Sequence, residues 1–136
     1  MGNLPQEILA EKQNVERTLT LLDEAMARVE KTGVELTAIA TCLHNIYNGI
    51  ENILKQLLRP KNIDVPPSST WHKDLLNQAI SAHIIPDDLG DLLFDYLGFR
   101  HFFVHGYGFM LDKEQITELA QNIPAVWNRF INAINE

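Results

Sequence analysis

The sequence predicts an all-α protein, an antiparallel up-and-down bundle of about five helices. Apolar residues recur at alternating spacings of three and four along most of the chain, and no useful length of sequence alternates apolar and polar residues as a strand would. The chain has 136 residues, of which 46% are hydrophobic, and this is enough to bury one core. We therefore expect a single helical domain over residues 1–136.

Two long helices are predicted in the first half of the chain. The first is expected to end near Gly33, and the second at Arg59-Pro60, where proline removes a hydrogen-bond donor. The first apolar stripe consists of Val15, Leu19, Leu22, Met26 and Val29. The second stripe consists of Leu36, Ile39, Leu43, Ile46, Ile50, Ile53 and Leu57. Their near-3.5 period is typical of antiparallel helices that cross at a shallow angle.

Three shorter helices are predicted after a Pro-Pro connector at residues 61–70. Ser69 or Thr70 is expected to cap a third helix over about residues 71–83. The fourth opens with two acidic residues at 87 and 88 and closes at the glycines 106 and 108, with Val104 on its apolar side. The fifth is expected to run to about Ile134, with a kink at Pro124.

Composition excludes several classes of protein. The formal charge of −7 argues against a protein that coats nucleic acid by bulk attraction, so any RNA binding must be local. Cys42 is the single cysteine, which excludes an internal disulfide and fits a reducing compartment. The sequence shows neither a signal peptide nor about 18 uninterrupted apolar residues. We expect a cytoplasmic protein with no membrane association.

The segment Arg100 to Tyr107, RHFFVHGY, concentrates the chemistry of the chain. Arg100 is the only permanently charged side chain between residues 96 and 111. A guanidinium binds phosphate, and an imidazole near neutrality can take the proton of a ribose 2′-hydroxyl or give one to the departing 5′-oxygen. This combination favours cleavage of RNA without a metal or another cofactor.

The three polar groups of this segment do not share one helical face. At about 100° per residue, Arg100 and Tyr107 lie within roughly 20° of each other, but His105 is about 140° from Arg100. They could surround one phosphate if the helix loosens at Gly106, if Arg100 reaches across, or if a second copy supplies the opposing His105. A two-fold dimer would bring two arginines and two histidines into one cleft.

The remaining histidines have simpler interpretations. His101 and His105 have a spacing that can hold a metal, but no Asp, Glu or Cys in the next turn completes the ligand set, so no metal site is predicted. His72 and His83 are expected to be capping or surface residues. His44 is expected to pack with its polar tip exposed.

The form R-x4-H-x-Y resembles the signature of HEPN-domain ribonuclease toxins of the HepT type. The long pair of amino-terminal helices, the Trp71–Leu76 opening of the third helix and the motif near the end of the fourth are also similar to that family, over most of the chain. The resemblance implies a HEPN-like homodimer that cuts RNA, with tRNA and mRNA both open as targets. It implies Arg100 and His105 as the catalytic pair and His101 as an accessory residue.

The same resemblance implies a control at Tyr107. HepT-like toxins are paired with a small nucleotidyltransferase antitoxin of the MNT type, which uses ATP to attach AMP to the motif tyrosine. Such an anion beside Arg100 and His105 would occupy the phosphate site and repel RNA. HEPN domains also often carry polar residues on the second helix facing the cleft. Asn48 and Glu51 are the candidates here, with an ordinary solvated acid as the alternative for Glu51.

Two other functions stay open at this level. One is a non-catalytic module that binds a nucleotide or a partner and accompanies a nucleotidyltransferase. The other is a purely structural helical bundle, which would leave Arg100 inside an aromatic segment without a cause. The complete set of Arg100, His105 and Tyr107 favours the enzyme, since a passive module need not keep all three.

Overall fold

The computed structural model describes residues 5–105 and 112–135, and in these ranges the chain is all-α, as predicted. The helices are α1 (Gln6–Met26), α2 (Gly33–Leu58), α3 (Trp71–Ser81), α4 (Asp87–Val104) and α5 (Lys113–Ile134). A 3₁₀ turn, Arg59–Lys61, follows α2 directly. None of the helices in these ranges combines the length and the apolar character that crossing a bilayer demands.

Helix α2 is the centre of the bundle, because it packs against each of the other four helices. Its buried apolar side chains are Ile39, Ala40, Cys42, Leu43, Ile46, Tyr47, Ile50, Ile53, Leu54 and Leu58. One apolar cluster joins these residues to buried side chains of α1, α3, α4 and α5. Burial of each of these aliphatic side chains contributes roughly 1.5 to 3 kcal/mol to the free energy of folding. The stripe predicted for the second helix is therefore core, with only its end residues Leu36 and Leu57 partly exposed.

Helix α1 is shorter than its apolar stripe predicts. It ends at Met26, and Val29 is fully exposed at 100%, so the prediction for Val29 is wrong. The reason is a capping box at the start of α2, in which the Thr32 side chain accepts from the backbone N–H of Val34 and the Glu35 carboxylate accepts from that of Thr32. Because α2 must begin at Gly33, the residues before Thr32 form the turn.

Helices α1 and α2 approach closely at Gly49. A Cβ atom at this position would lie 2.4 Å from Cγ2 of Val15, closer than two carbon atoms can come. One turn further, the amide of Asn52 on α2 donates to the carboxylate of Glu11 on α1 at 3.2 Å. These contacts hold α1 against one side of α2. Helix α4 packs on another side, the one that carries Asn48.

Helices α3 and α4 carry residues of the candidate site, and their ends differ from the predicted ones. Thr70 is the N-cap residue of α3, but its hydroxyl donates to Asp74 and accepts no backbone N–H of the first turn. The helix ends at Ser81, two residues earlier than predicted. Helix α4 ends at Val104, which is 44% exposed, so the expectation that Val104 lies on the apolar side is wrong. The predicted closure at Gly106 and Gly108 lies outside the described residues.

Candidate active site

Helix α4 carries Arg100 onto the polar side of α2. Its Nε donates to Oδ1 of Asn48 at 3.1 Å, and both side chains are half-buried. In the part of the chain that the structure describes, this is the only side-chain hydrogen bond of Arg100. The two terminal nitrogens of the guanidinium therefore keep their donors for an incoming anion.

Asn48 links Arg100 to His44, one turn earlier on α2. The Asn48 amide nitrogen lies 3.4 Å from Nε2 of His44, and because an amide nitrogen only donates, that Nε2 accepts and the imidazole is neutral. Burial, and then the positive charge of Arg100, lower the pKa of His44. The ring also packs against Phe103, with 5.2 Å between centroids. We expected the polar tip of His44 to be exposed, but its Nε2 instead accepts a hydrogen bond from Asn48.

His101 and His105 lie together at the exposed end of α4. Their ring centroids are 4.2 Å apart and their planes are inclined by 38°. Nδ1 of His105 lies 2.7 Å from the carbonyl oxygen of His101, and because a carbonyl only accepts, Nδ1 carries the proton. In the neutral ring this leaves the lone pair on Nε2, which can then act as a base.

Arg100 and His105 have different hydrogen-bond partners in the described residues. Arg100 is bonded to α2, whereas His105 is bonded to its own helix, and between the two no hydrogen bond occurs in residues 5–105 and 112–135. Ideal helix geometry also predicts that the two side chains leave α4 in different directions. The third residue of the motif, Tyr107, lies outside the described residues.

An ionisable pair lies one turn along α2 from Asn48. Glu51 is only 4% exposed, and both of its carboxylate oxygens lie 2.9 Å from Nδ1 of His72 at the start of α3. A buried carboxylate is costly unless a hydrogen-bonded partner compensates it, and His72 is that partner. Two expectations are therefore wrong: Glu51 is not an ordinary solvated acid, and His72 is neither a cap nor a simple surface residue.

Tyr47, next to Asn48 on α2, is close enough to both Glu51 and Arg100 to respond to their charges. Its side chain is almost fully buried, at 1% exposure. Burial and the neighbouring Glu51 carboxylate raise its pKa, while Arg100 acts in the opposite direction, so the phenol stays protonated. Sequence reasoning missed Tyr47 and the pairing of Glu51 with His72. The available signal was the position of Glu51, an acid directly after Ile50 of the apolar stripe.

The described residues contain no complete set of metal ligands. Within the described ranges, no three side chains of His, Cys, Asp or Glu converge on a point where a metal ion could bind. The neighbouring pair His101 and His105 therefore has no third ligand in that part of the chain. The other predicted surface histidine, His83, is exposed and follows α3 with a positive φ of 60°.

Comparison with known proteins places the chain in a family. The family model described as HepT-like protein matches residues 38–136, which is well over half of the chain and includes Arg100, His105 and Tyr107. Comparisons with curated proteins and with solved structures gave no match. The matched range begins inside α2 and covers every residue of the candidate site described above. The chain therefore belongs to the HepT-like family.

Proposed function

We propose that this HepT-like protein is the toxin of a toxin–antitoxin pair and acts as a metal-independent endoribonuclease. The observation that carries the proposal is Arg100, five residues before His105, which Asn48 holds at Nε while its terminal nitrogens have no hydrogen-bond partner among the described residues. Family membership supports the same class of function. Arg100 is the phosphate-binding residue of the proposed site, His105 the acid or base, and His101 an accessory residue.

The proposed reaction uses the substrate's own 2′-hydroxyl as nucleophile. One imidazole takes its proton as the 2′-oxygen attacks the adjacent phosphorus, the bond to the 5′-oxygen breaks, and a protonated imidazole gives that oxygen a proton. The products are a 2′,3′-cyclic phosphate and a 5′-hydroxyl, and no water is consumed. Arg100 neutralises the charge that grows on the non-bridging oxygens. DNA, which lacks the 2′-hydroxyl, should resist.

A homodimer is part of the proposal, because it would bring the Arg100 of one copy and the His105 of the other to the same phosphate. On an ideal helix the two side chains lie about 140° apart, and a two-fold axis would place the His105 of each copy near the Arg100 of the other. The surface beside the histidines suits such an interface, since Phe102 and Val104 are 38% and 44% exposed.

The proposed control is adenylylation of Tyr107 by an MNT-type nucleotidyltransferase that uses ATP. The chain has three tyrosines, and the other two are poor targets. Tyr47 and Tyr96 are 1% and 2% exposed, and the Tyr96 hydroxyl donates to the carbonyl oxygen of Leu119 at 2.7 Å. An AMP group on Tyr107 would compete with RNA phosphate for Arg100.

Cleavage of single-stranded RNA with and without EDTA tests the enzymatic proposal. The wild-type protein should cut in the presence of EDTA and leave a cyclic phosphate, and His105→Ala should lower the rate about 10²- to 10⁴-fold with the fold intact. His83→Asn is the matched control, because it removes an exposed imidazole elsewhere and asparagine tolerates the positive φ at this position. Undiminished cutting by folded Arg100→Ala or His105→Ala would remove the catalytic assignment. A wild-type protein that binds nucleotide or RNA without cutting would instead be the non-catalytic module.

Mass spectrometry tests the proposed control. Incubation with the cognate nucleotidyltransferase and ATP should add one or more AMP units to the wild-type protein and abolish cutting. Tyr107→Phe should acquire no AMP and keep its RNase activity in the same mixture. A label on Tyr107→Phe, or inhibition by modification that survives this change, would contradict the assignment of Tyr107.

A further inference from the structure

A pocket lies at the carboxyl end of α2, beyond the Glu51–His72 pair. Its volume is about 430 Å³, and the residues that line it are Lys55, Leu58, Arg59, Asn62, Ile63, Asp64, Val65, Trp71 and Leu75. We propose that this pocket is an RNA subsite, which binds the phosphate and the base of a nucleotide away from the scissile bond. The inference rests on the RNA-cleaving function proposed above and extends it by a second contact with the substrate.

The cations of the pocket are available for phosphate. Lys55 and Arg59 are both exposed, and neither forms an ion pair with a carboxylate in the described part of the chain. Asp64 is the one acidic residue of the lining, so the pocket carries a net positive charge in a protein whose overall charge is −7. This local excess of positive charge is what a phosphodiester backbone requires.

Trp71 supplies an aromatic surface beside these cations. Its indole N–H donates to the carbonyl oxygen of Val65 at 3.1 Å, and the His72 ring meets it edge-on at 4.9 Å. Nζ of Lys55 lies 5.5 Å from the centre of the ring, within the range of a cation–π contact. The half-exposed Trp71 is therefore fixed in orientation. Cations that follow the backbone and a rigid aromatic surface for the base are the two elements by which proteins bind single strands.

The pocket and Arg100 lie along one side of α2. At about 100° per residue, Lys55 and Arg59 each lie within roughly 20° of Asn48, the residue that holds Arg100. The rise along the helix is about 10 Å from Asn48 to Lys55 and about 16 Å to Arg59. A single RNA strand could thus follow α2 from Arg100 to the pocket. Glu51 lies between the two, but its carboxylate is buried and bonded to His72, so it does not face the strand as a free acid.

RNA binding by the non-cutting His105→Ala protein tests this inference. In that background, the double change Lys55→Gln and Arg59→Gln should weaken binding of a single-stranded RNA roughly tenfold, and should flatten the slope of log K against log salt by about 1.4, the value for two lost phosphate contacts. The matched control is Arg28→Gln with Lys31→Gln, which removes the same charge near the opposite end of α2. Equal weakening by both pairs would overturn the inference, because bulk charge would then explain the effect.

Cleavage by proteins that retain His105 separates this inference from the proposed function. A dinucleoside monophosphate offers one phosphate and cannot reach the pocket and Arg100 together. The Lys55→Gln, Arg59→Gln protein should therefore lower the ratio of kcat/KM for a longer RNA to that for the dinucleotide about tenfold. An unchanged ratio with active enzyme would overturn the pocket alone. A wild-type protein that neither binds nor cuts RNA would overturn both proposals.

Discussion

The two sides of α2 contact the rest of the protein through different kinds of interaction. On one side, aliphatic residues such as Ile46 and Ile50 are completely buried, in a helix that packs against each of the other four. On the other side, Asn48 and Glu51 each hold one partner on another helix, Arg100 and His72 respectively. Burial of apolar surface has no direction, whereas a hydrogen bond needs its partner at a set distance and angle. The apolar side therefore supplies most of the stability, and the polar side can be altered for function at modest cost to the fold.

The largest expected effect is on the apolar side. Ile50→Ala removes a fully buried side chain and leaves a cavity, so it should lower the free energy of unfolding by about 3 kcal/mol. Urea denaturation followed by circular dichroism measures this loss. Leu21→Ala is the control, because Leu21 is 55% exposed on α1, and it should change stability by less than about 0.5 kcal/mol. Similar losses in both variants would deny that the two environments differ.

Asn48→Ala tests the polar side through activity. The change removes the acceptor that orients the Arg100 guanidinium, so we expect kcat/KM for RNA cleavage to fall about tenfold, which corresponds to about 1.4 kcal/mol in transition-state stabilisation. Stability should fall by only about 1 kcal/mol, the usual contribution of one hydrogen bond. Asn77→Ala, at an exposed position of α3, is the control for an asparagine without this contact. A large loss of stability with unchanged activity would make Asn48 a structural residue.

Glu51 and His72 test whether a polar contact of this helix can also support the fold. A double-mutant cycle with Glu51→Gln and His72→Gln should give a coupling energy of about 1 kcal/mol, below the value for a fully buried pair because the His72 side chain is 35% exposed. Thermal and urea unfolding of the four proteins measure it. A coupling energy of zero would mean that the short contact contributes nothing beyond two independent side chains.

The apolar side of α2 was predictable from the sequence, whereas most of the polar side was not. Periodicity is a local property, so the five stripe residues from Ile39 to Ile53 were correctly predicted to be buried, although the stripe did not include Tyr47. The pairing of Glu51 with His72 joins residues 21 positions apart, and only the packing of α3 on α2 brings them together. No spacing rule within one helix can predict a partner on another.

The ends of helices were also predicted incorrectly, because a capping interaction can end or begin a helix where the apolar periodicity alone would continue it. Val29 continues the stripe of α1, but the capping box of Thr32 and Glu35 starts α2 and leaves Val29 in the turn. In the candidate site, the motif singled out Arg100 and His105, and the structure shows a separate hydrogen-bond partner for each. The motif could not predict that Asn48 holds the guanidinium, since that depends on where α4 crosses α2. The roles of Arg100, His105 and Tyr107 stay predictions.

The smallest effect expected is a pH dependence that arises from His44. Burial and Arg100 lower its pKa in the folded state, so in the unfolded chain it binds a proton at a higher pH, near its ordinary value of 6.5. Above that value His44 is neutral in both states and contributes no pH dependence. As the pH falls below it, the unfolded chain binds more protons than the folded one, and stability decreases.

His44→Gln should remove this contribution while it keeps a polar group near Asn48. The free energy of unfolding of the wild-type protein, relative to that of the variant, should therefore decrease between about pH 7 and pH 5. Carboxylates titrate in both proteins, so their contribution cancels in the difference. If the wild-type protein instead gained stability as the pH fell, His44 would be charged in the fold. Its Nε2 would then be a donor and could not accept from the Asn48 amide nitrogen. The hydrogen bond between His44 and Asn48 would then be absent, and only the one from Arg100 to Asn48 would remain.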